Sequence, residues 1–80
     1  MKRADLKAIV ARVLEVDTAS LVSDTTLSSI DTFDSVSVLT LMISLDEQAG
    51  IKLSPSEASA LRFYGDIERA AEKQGIVFEG

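Results

Sequence analysis

The feature that most limits what this chain can become is the run from Ser35 to Ala49. Val38, Leu41, Met42, Leu45 and Ala49 recur there at three- and four-residue intervals for three turns, and Gly50 follows. That period places five apolar side chains along one line of a helix. Val36-Ser37-Val38 alternates like a strand and is β-branched. The longer period outweighs it, and a helix is expected over 35–49. Asp34 or Ser35 can cap its start, since a short side-chain oxygen accepts from a free amide of the first turn. Gly50 is a natural stop.

The rest arranges itself around this helix. Leu6, Ile9, Val10, Val13 and Leu14 keep helical spacing from Asp5 to about Val16. Ser54-Pro55-Ser56-Glu57 is a capping box with proline at the first helical position. It opens a short helix that turns Ala58 and Leu61 inward and ends before Gly65. A last helix starts near Gly65-Asp66, faces Ile67, Ala70 and Ala71 inward, and stops at Gly75. Phe63 and Tyr64 are expected as core fillers at the junction, and Ile76, Val77 and Phe78 as an apolar tail that packs back or frays. Between the first two helices, residues 17–33 are rich in turn-formers: Asp17-Thr18, Ser23 to Thr26, Ser28-Ser29. Leu21, Val22, Leu27 and Ile30 are its apolar anchors, and a short helical turn can form near Thr18 to Val22. A connection this long inside a small domain is often functional. The expectation is an all-α, small four-helix bundle, three main helices plus one short one, with a long first loop, in one domain spanning residues 1–80.

Composition excludes several functions. The 80 residues contain no cysteine and no histidine. Disulfides, thiolate metal sites and histidine-based nucleophilic catalysis are therefore absent. The net charge of −5 argues against a nucleic-acid backbone as partner. No segment reaches the ~18 apolar residues of a membrane span. Lys7 and Arg12 interrupt the start that would otherwise resemble a signal peptide, so a cytoplasmic protein is expected. Charge is uneven. No basic residue lies between Arg12 and Lys52, a stretch holding Glu15, Asp17, Asp24, Asp31, Asp34, Asp46 and Glu47. Such a field can steer a basic partner or can simply be a solvated surface.

Two features of the second helix point outward. Ser37, Thr40, Ser44 and Glu47 fall opposite the core line, and Val36, Leu39 and Ile43 form a second apolar stripe beside them. An apolar stripe rimmed by polar groups is a partner surface, unless the preceding loop folds over it. At the head of the helix stands Asp34-Ser35-Val36. A serine there lies at the positive helix end, which suits an attached phosphate. A serine nucleophile needs an activating base, which this chain does not supply, so another protein must do the catalysis. Taken alone, Asp-Ser before a helix is an ordinary cap.

Taken with its surroundings, the sequence resembles the acyl carrier protein family. Phe33-Asp34-Ser35-Val36 is similar to the family's D-S-L attachment motif. Leu45-Asp46-Glu47-Gln48-Ala49-Gly50-Ile51-Lys52-Leu53 is similar to its downstream acidic run, in the same register from the serine. Asp24-Thr25-Thr26-Leu27 matches the acid-x-x-Leu position upstream. The resemblance covers nearly the whole chain. It implies a non-enzymatic carrier whose Ser35 receives 4'-phosphopantetheine from coenzyme A. A phosphopantetheinyl transferase with Mg²⁺ would activate the Ser35 hydroxyl, and Asp34 would help that enzyme recognise the site. The arm's thiol would hold acyl groups as thioesters. The resemblance also implies that Val36, Leu39 and Ile43, with Asp46 and Glu47, dock the acyl-loading, elongating or transferring enzymes, and that the carrier is a monomer.

The sequence also departs from the family. Thr32 stands where glycine is frequent, Val36 where leucine is usual, and Ser37 and Thr40 where fatty-acid members carry acids. A specialised lipid, polyketide or related pathway is therefore expected over housekeeping fatty acid synthesis. Two alternatives stay open at this point: a non-carrying helical interaction module with Ser35 only a cap, and a peptidyl or aryl carrier. The start at Met1 and the lack of linker-like flanks favour a freestanding protein. Met42, flexible and apolar, is a candidate to line any interior space for an acyl chain.

Overall fold

The architecture follows from which faces of four helices are apolar. The structure is a computed structural model that describes residues 1–79. Helix α1 spans Arg3–Leu14, α2 Ser35–Ala49, α3 Pro55–Ser59 and α4 Tyr64–Lys73. Among the described residues there is no strand, only one isolated bridge between Thr26 and Phe63. Helices α1 and α2 pack directly on each other. Their Leu6, Val10, Leu14, Leu41 and Leu45 are fully or almost fully buried, together with Ile51 and, from α4, Tyr64, Ile67 and Ala71.

Each helix ends where its sequence dictates. Helix α2 matches the expected span and is capped by Asp34, not Ser35: Asp34 accepts from the Ser37 amide. At its far end Gly50 takes φ 68°, a left-handed conformation that glycine adopts without steric cost. Its amide and that of Ile51 turn back onto Asp46 and Leu45 carbonyls. The capping box of α3 forms as expected, with Ser54 and Glu57 bonded reciprocally. The Ser54 amide bond holds the Glu57 carboxyl below its ordinary value. Helix α4 begins one residue earlier than expected. Asp66 accepts from the Phe63 and Arg62 amides at 3.0 Å each, and these bonds hold its carboxyl below the usual aspartate range. Helix α1 is displaced towards the N-terminus relative to the expected Asp5–Val16, because Glu15 turns left-handed at φ 57° and ends it.

The long connection is ordered by its anchors. It contains two short 3₁₀ turns, Thr18–Ser20 as expected and Leu27–Ser29 in addition. Leu21 and Leu27 are fully buried and Ile30 packs partly against the core, whereas Val22 is exposed and anchors nothing. Backbone bonds from Leu27 to Arg62, Tyr64 to Thr25 and Gly65 to Ser23 stitch the loop to the α3–α4 junction. Gly65 is required there: a Cβ would stand 2.9 Å from the Ser23 carbonyl oxygen. The Thr32 hydroxyl donates to the Leu14 carbonyl and fastens the loop's far end to α1.

Two expectations are corrected. Phe63 is not a core filler: it is 41% exposed, because the extended residue before α4 pairs its backbone with the loop and turns its ring outward. Ser37 does not point to solvent but is buried in the α2 cap. Of the two courses open to the tail, it packs back. The Met1 ammonium donates to the Val77 carbonyl at 3.0 Å, Glu79 returns a bond to Met1, and Arg3 sits 4.8 Å over the Phe78 ring. Arg3 also pairs at 3.2 Å with Glu68, a buried carboxylate the sequence did not reveal. Burial, and then the charge of Glu68, push the Tyr64 hydroxyl well above the ordinary phenol range.

Candidate functional site

The head of α2 is fixed by a three-bond knot between Asp34 and Ser37. The Asp34 side chain accepts from the Ser37 amide at 2.8 Å, and the Ser37 hydroxyl accepts from the Asp34 amide at 2.8 Å. That hydroxyl also donates to the Asp34 carbonyl at 2.9 Å. The Ser37 side chain is thus spent on local structure, and Asp34 commits one carboxylate oxygen to it. Ser35, the first helical residue, lies between them. It is exposed, and among the described residues its hydroxyl takes part in no hydrogen bond. The helix brings it a positive end, with no acid among its first-turn residues. A covalently held phosphate diester fits there: the oxygen is reachable, the backbone around it is rigid, and the local dipole favours a negative group.

Beside Ser35 an apolar groove of about 500 Å³ runs between α2 and α3. Phe33, Val38, Leu39, Met42, Ala58 and Leu61 line it, and Asp34 and Ser35 stand on its wall. Val38 and Met42, expected in the core, are only half-buried because they face this space. Met42 therefore lines an open groove and not an enclosed interior space. Phe33 and Pro55 join this wall from outside the expected docking residues. The one signal for this wall was the inward assignment of Ala58 and Leu61, about 20 residues along the chain from Val38 and Leu39, and periodicity says nothing of what two such distant faces enclose.

The outward stripe is real. Val36, Leu39 and Ile43 are 69%, 57% and 59% exposed, and the long loop does not cover them. The polar neighbours differ from expectation. The Thr40 hydroxyl donates back to the Val36 carbonyl at 3.0 Å. Asp46 pairs with Lys52 at 3.0 Å, while Glu47 is in no ion pair among the described residues. Ser35, the groove and the stripe thus meet at one end of one helix.

With this geometry in view, comparison with known proteins is decisive. The family profile of the phosphopantetheine attachment site matches residues 4–70. The chain belongs to that family: it is a carrier protein, and its prosthetic group is 4'-phosphopantetheine. Its fold is that of acyl carrier proteins. The solution structure of the holo acyl carrier protein from Geobacter metallireducens is similar to it, with a TM-score of 0.74 and 31% identity. That similarity covers 91% of this chain and 85% of the other. No curated protein sequence matches the chain. As a carrier it works with modifying and acyl-handling enzymes, and no described helix is long and apolar enough to cross a membrane.

Proposed function

We propose that Ser35 is the attachment point of the arm, and that the protein is a non-catalytic acyl carrier of a specialised lipid, polyketide or related pathway. The observation that carries this reading is the placement of one unbonded, exposed hydroxyl at the helix head, directly on the wall of an apolar groove. The attached group supplies a thiol that holds acyl cargo as a thioester, chemistry that a cysteine-free chain cannot provide itself. The chain's residues do the rest. Ser35 offers its oxygen, and its proton leaves to a base of the transferase, since no histidine is available here. Asp34 holds the backbone at Ser35 through the Ser37 amide and presents its carboxylate edge to that enzyme. The groove lined by Leu39, Met42 and Leu61 shelters an apolar acyl chain from water. Its work is cytoplasmic, where coenzyme A supplies the arm.

The specialised pathway is favoured by what α2 does not carry. Ser37 is buried in the cap and Thr40 is bonded to its own helix, so the upper two turns offer no charge to a basic enzyme patch. Intact mass of the protein purified from its native host tests this. The expected result is the arm bearing an acyl group outside the even-numbered saturated series. A ladder of saturated chains, each two carbons longer than the last, would assign it to housekeeping synthesis instead.

A further inference from the structure

Thr32 and Ser37 flank Ser35, and both depart from the family pattern in the same way, by carrying a hydroxyl. Neither is a free surface group. The Thr32 hydroxyl donates to the carbonyl of Leu14, the last residue of α1, which lies past the reach of its own helical ladder. The Ser37 hydroxyl is buried and holds Asp34 at both ends, accepting from its amide at 2.8 Å and donating to its carbonyl at 2.9 Å.

Between these two hydroxyls the chain is tied at every residue. The Phe33 amide donates to the Ile30 carbonyl at 3.0 Å, and the Phe33 side chain packs partly against the core. The Asp34 carbonyl accepts a second bond, from the Val38 amide at 3.0 Å. The three residues ahead of Ser35 are thus fastened to three different places: Thr32 to α1, Phe33 to the loop and core, Asp34 to the first turn of α2. A glycine at 32 would have no side chain to donate with. An ionised acid at 37 could accept from the Asp34 amide but could not donate to the Asp34 carbonyl, whereas a hydroxyl does both.

We infer that Thr32 and Ser37 are positioning residues for the loading of Ser35. They act through the backbone of residues 32–34 and hold the Ser35 oxygen in one place before the transferase arrives. The inference rests on Ser35 as the attachment point. Loading forms one bond, from Ser35 Oγ to the β-phosphorus of coenzyme A, and breaks the bond from that phosphorus to the bridging oxygen. The serine proton passes to a base of the transferase, and the nucleotide half leaves as adenosine bisphosphate. The attacking oxygen must meet phosphorus along one line, and a misplacement of about 1 Å can cost about a hundredfold in rate. A serine on a free loop would have to be ordered by the enzyme at each encounter, but here folding has already ordered it.

The test loads the full chain with coenzyme A and a phosphopantetheinyl transferase of broad specificity, followed by intact mass. Thr32→Val and Ser37→Ala remove the two hydroxyls. Each should lower kcat at least about fivefold while KM changes less than about twofold, the mark of lost alignment rather than lost binding. Thr32→Ser and Ser37→Thr keep the hydroxyls and should restore kcat to within about twofold of wild type. Without any enzyme, hydrogen exchange at the Asp34 amide should quicken at least about tenfold in Ser37→Ala and return in Ser37→Thr, since the partner of that amide is lost and regained. Ala71→Gly is the control for stability: it weakens α4, outside residues 32–37, and should melt lower than wild type yet keep kcat within about twofold. Wild-type kcat in both hydroxyl-less variants, a loss confined to KM, or a fall in kcat for Ala71→Gly as large as for Ser37→Ala would each overturn the inference and leave Ser35 as the attachment point. A wild type that takes no arm would overturn the reading of Ser35 itself, and the inference with it.

Discussion

Two leucines of α2, six residues apart, separate folding from docking, and truncating each to alanine shows which face does which. Leu45 is fully buried among the core side chains of α1, α2 and α4. Leu45→Ala removes its contacts and leaves a cavity in a close-packed interior, a change that costs about 2–5 kcal/mol. A domain of this length has roughly 4–12 kcal/mol in total, so the loss is a large share. At about 4–8 °C per kcal/mol for a small domain, the melting temperature should fall by at least about 8 °C. Leu39 is 57% exposed, so less than half of its side chain contributes burial. Leu39→Ala should cost less than about 1 kcal/mol, and alanine is slightly the better helix former, which offsets part of that. Urea denaturation of both variants, read by circular dichroism at constant slope, gives the two values directly. Functional assays should reverse the order: Leu39→Ala should weaken loading by a transferase far more than its stability loss accounts for. Equal destabilisation by the two substitutions would refute the face assignment, and with it the claim that the stripe is kept free for partners.

Other sites yield shorter tests. Gly65→Ala should destabilise by about 1–3 kcal/mol through a backbone clash, since the new Cβ would lie 2.9 Å from the Ser23 oxygen; an unchanged melt would show that the loop is not stitched there. Asp34→Ala should cost about 0.5–2 kcal/mol by removing the α2 cap. Asp34→Asn keeps the cap and should melt like wild type but load more slowly, so a normal loading rate would remove the carboxylate from transferase recognition. Asp66 titrates below its ordinary value of 3.8 because the Phe63 and then the Arg62 amides bond its charged form. Its contribution is therefore complete above that value and disappears as pH falls through the lower folded pKa. Asp66→Asn should be less stable than wild type at neutral pH, and the gap should close in acid; a gap independent of pH would contradict the amide bonds.

Local chemistry made most of this fold legible. The Ser54–Glu57 box, the Gly50 stop and the period of α2 each have a cause within a few residues, and each stands where the sequence put it. What escaped depends on residues far apart. Glu68 is buried because Arg3, 65 positions away, comes to meet it. Phe63 turns outward because its backbone is needed by Thr26. Asp46 meets Lys52 because the chain reverses after Gly50, a contact that no helical period reveals. Ser37 reads as a surface hydroxyl by helical angle alone, and its role in the cap overrides that angle. At the site, the stripe could be read from one helix and Ser35 only with the motifs on either side of it, whereas the groove needed two helices.

The most direct test is peptide mass spectrometry after incubation of the full chain with coenzyme A and a transferase of broad specificity. A single phosphopantetheine should appear on the peptide containing Ser35, and Ser35→Ala, which leaves the Asp34 cap intact, should stay unmodified and fold normally. An unmodified wild type, or the same mass gain in Ser35→Ala, would contradict the assignment.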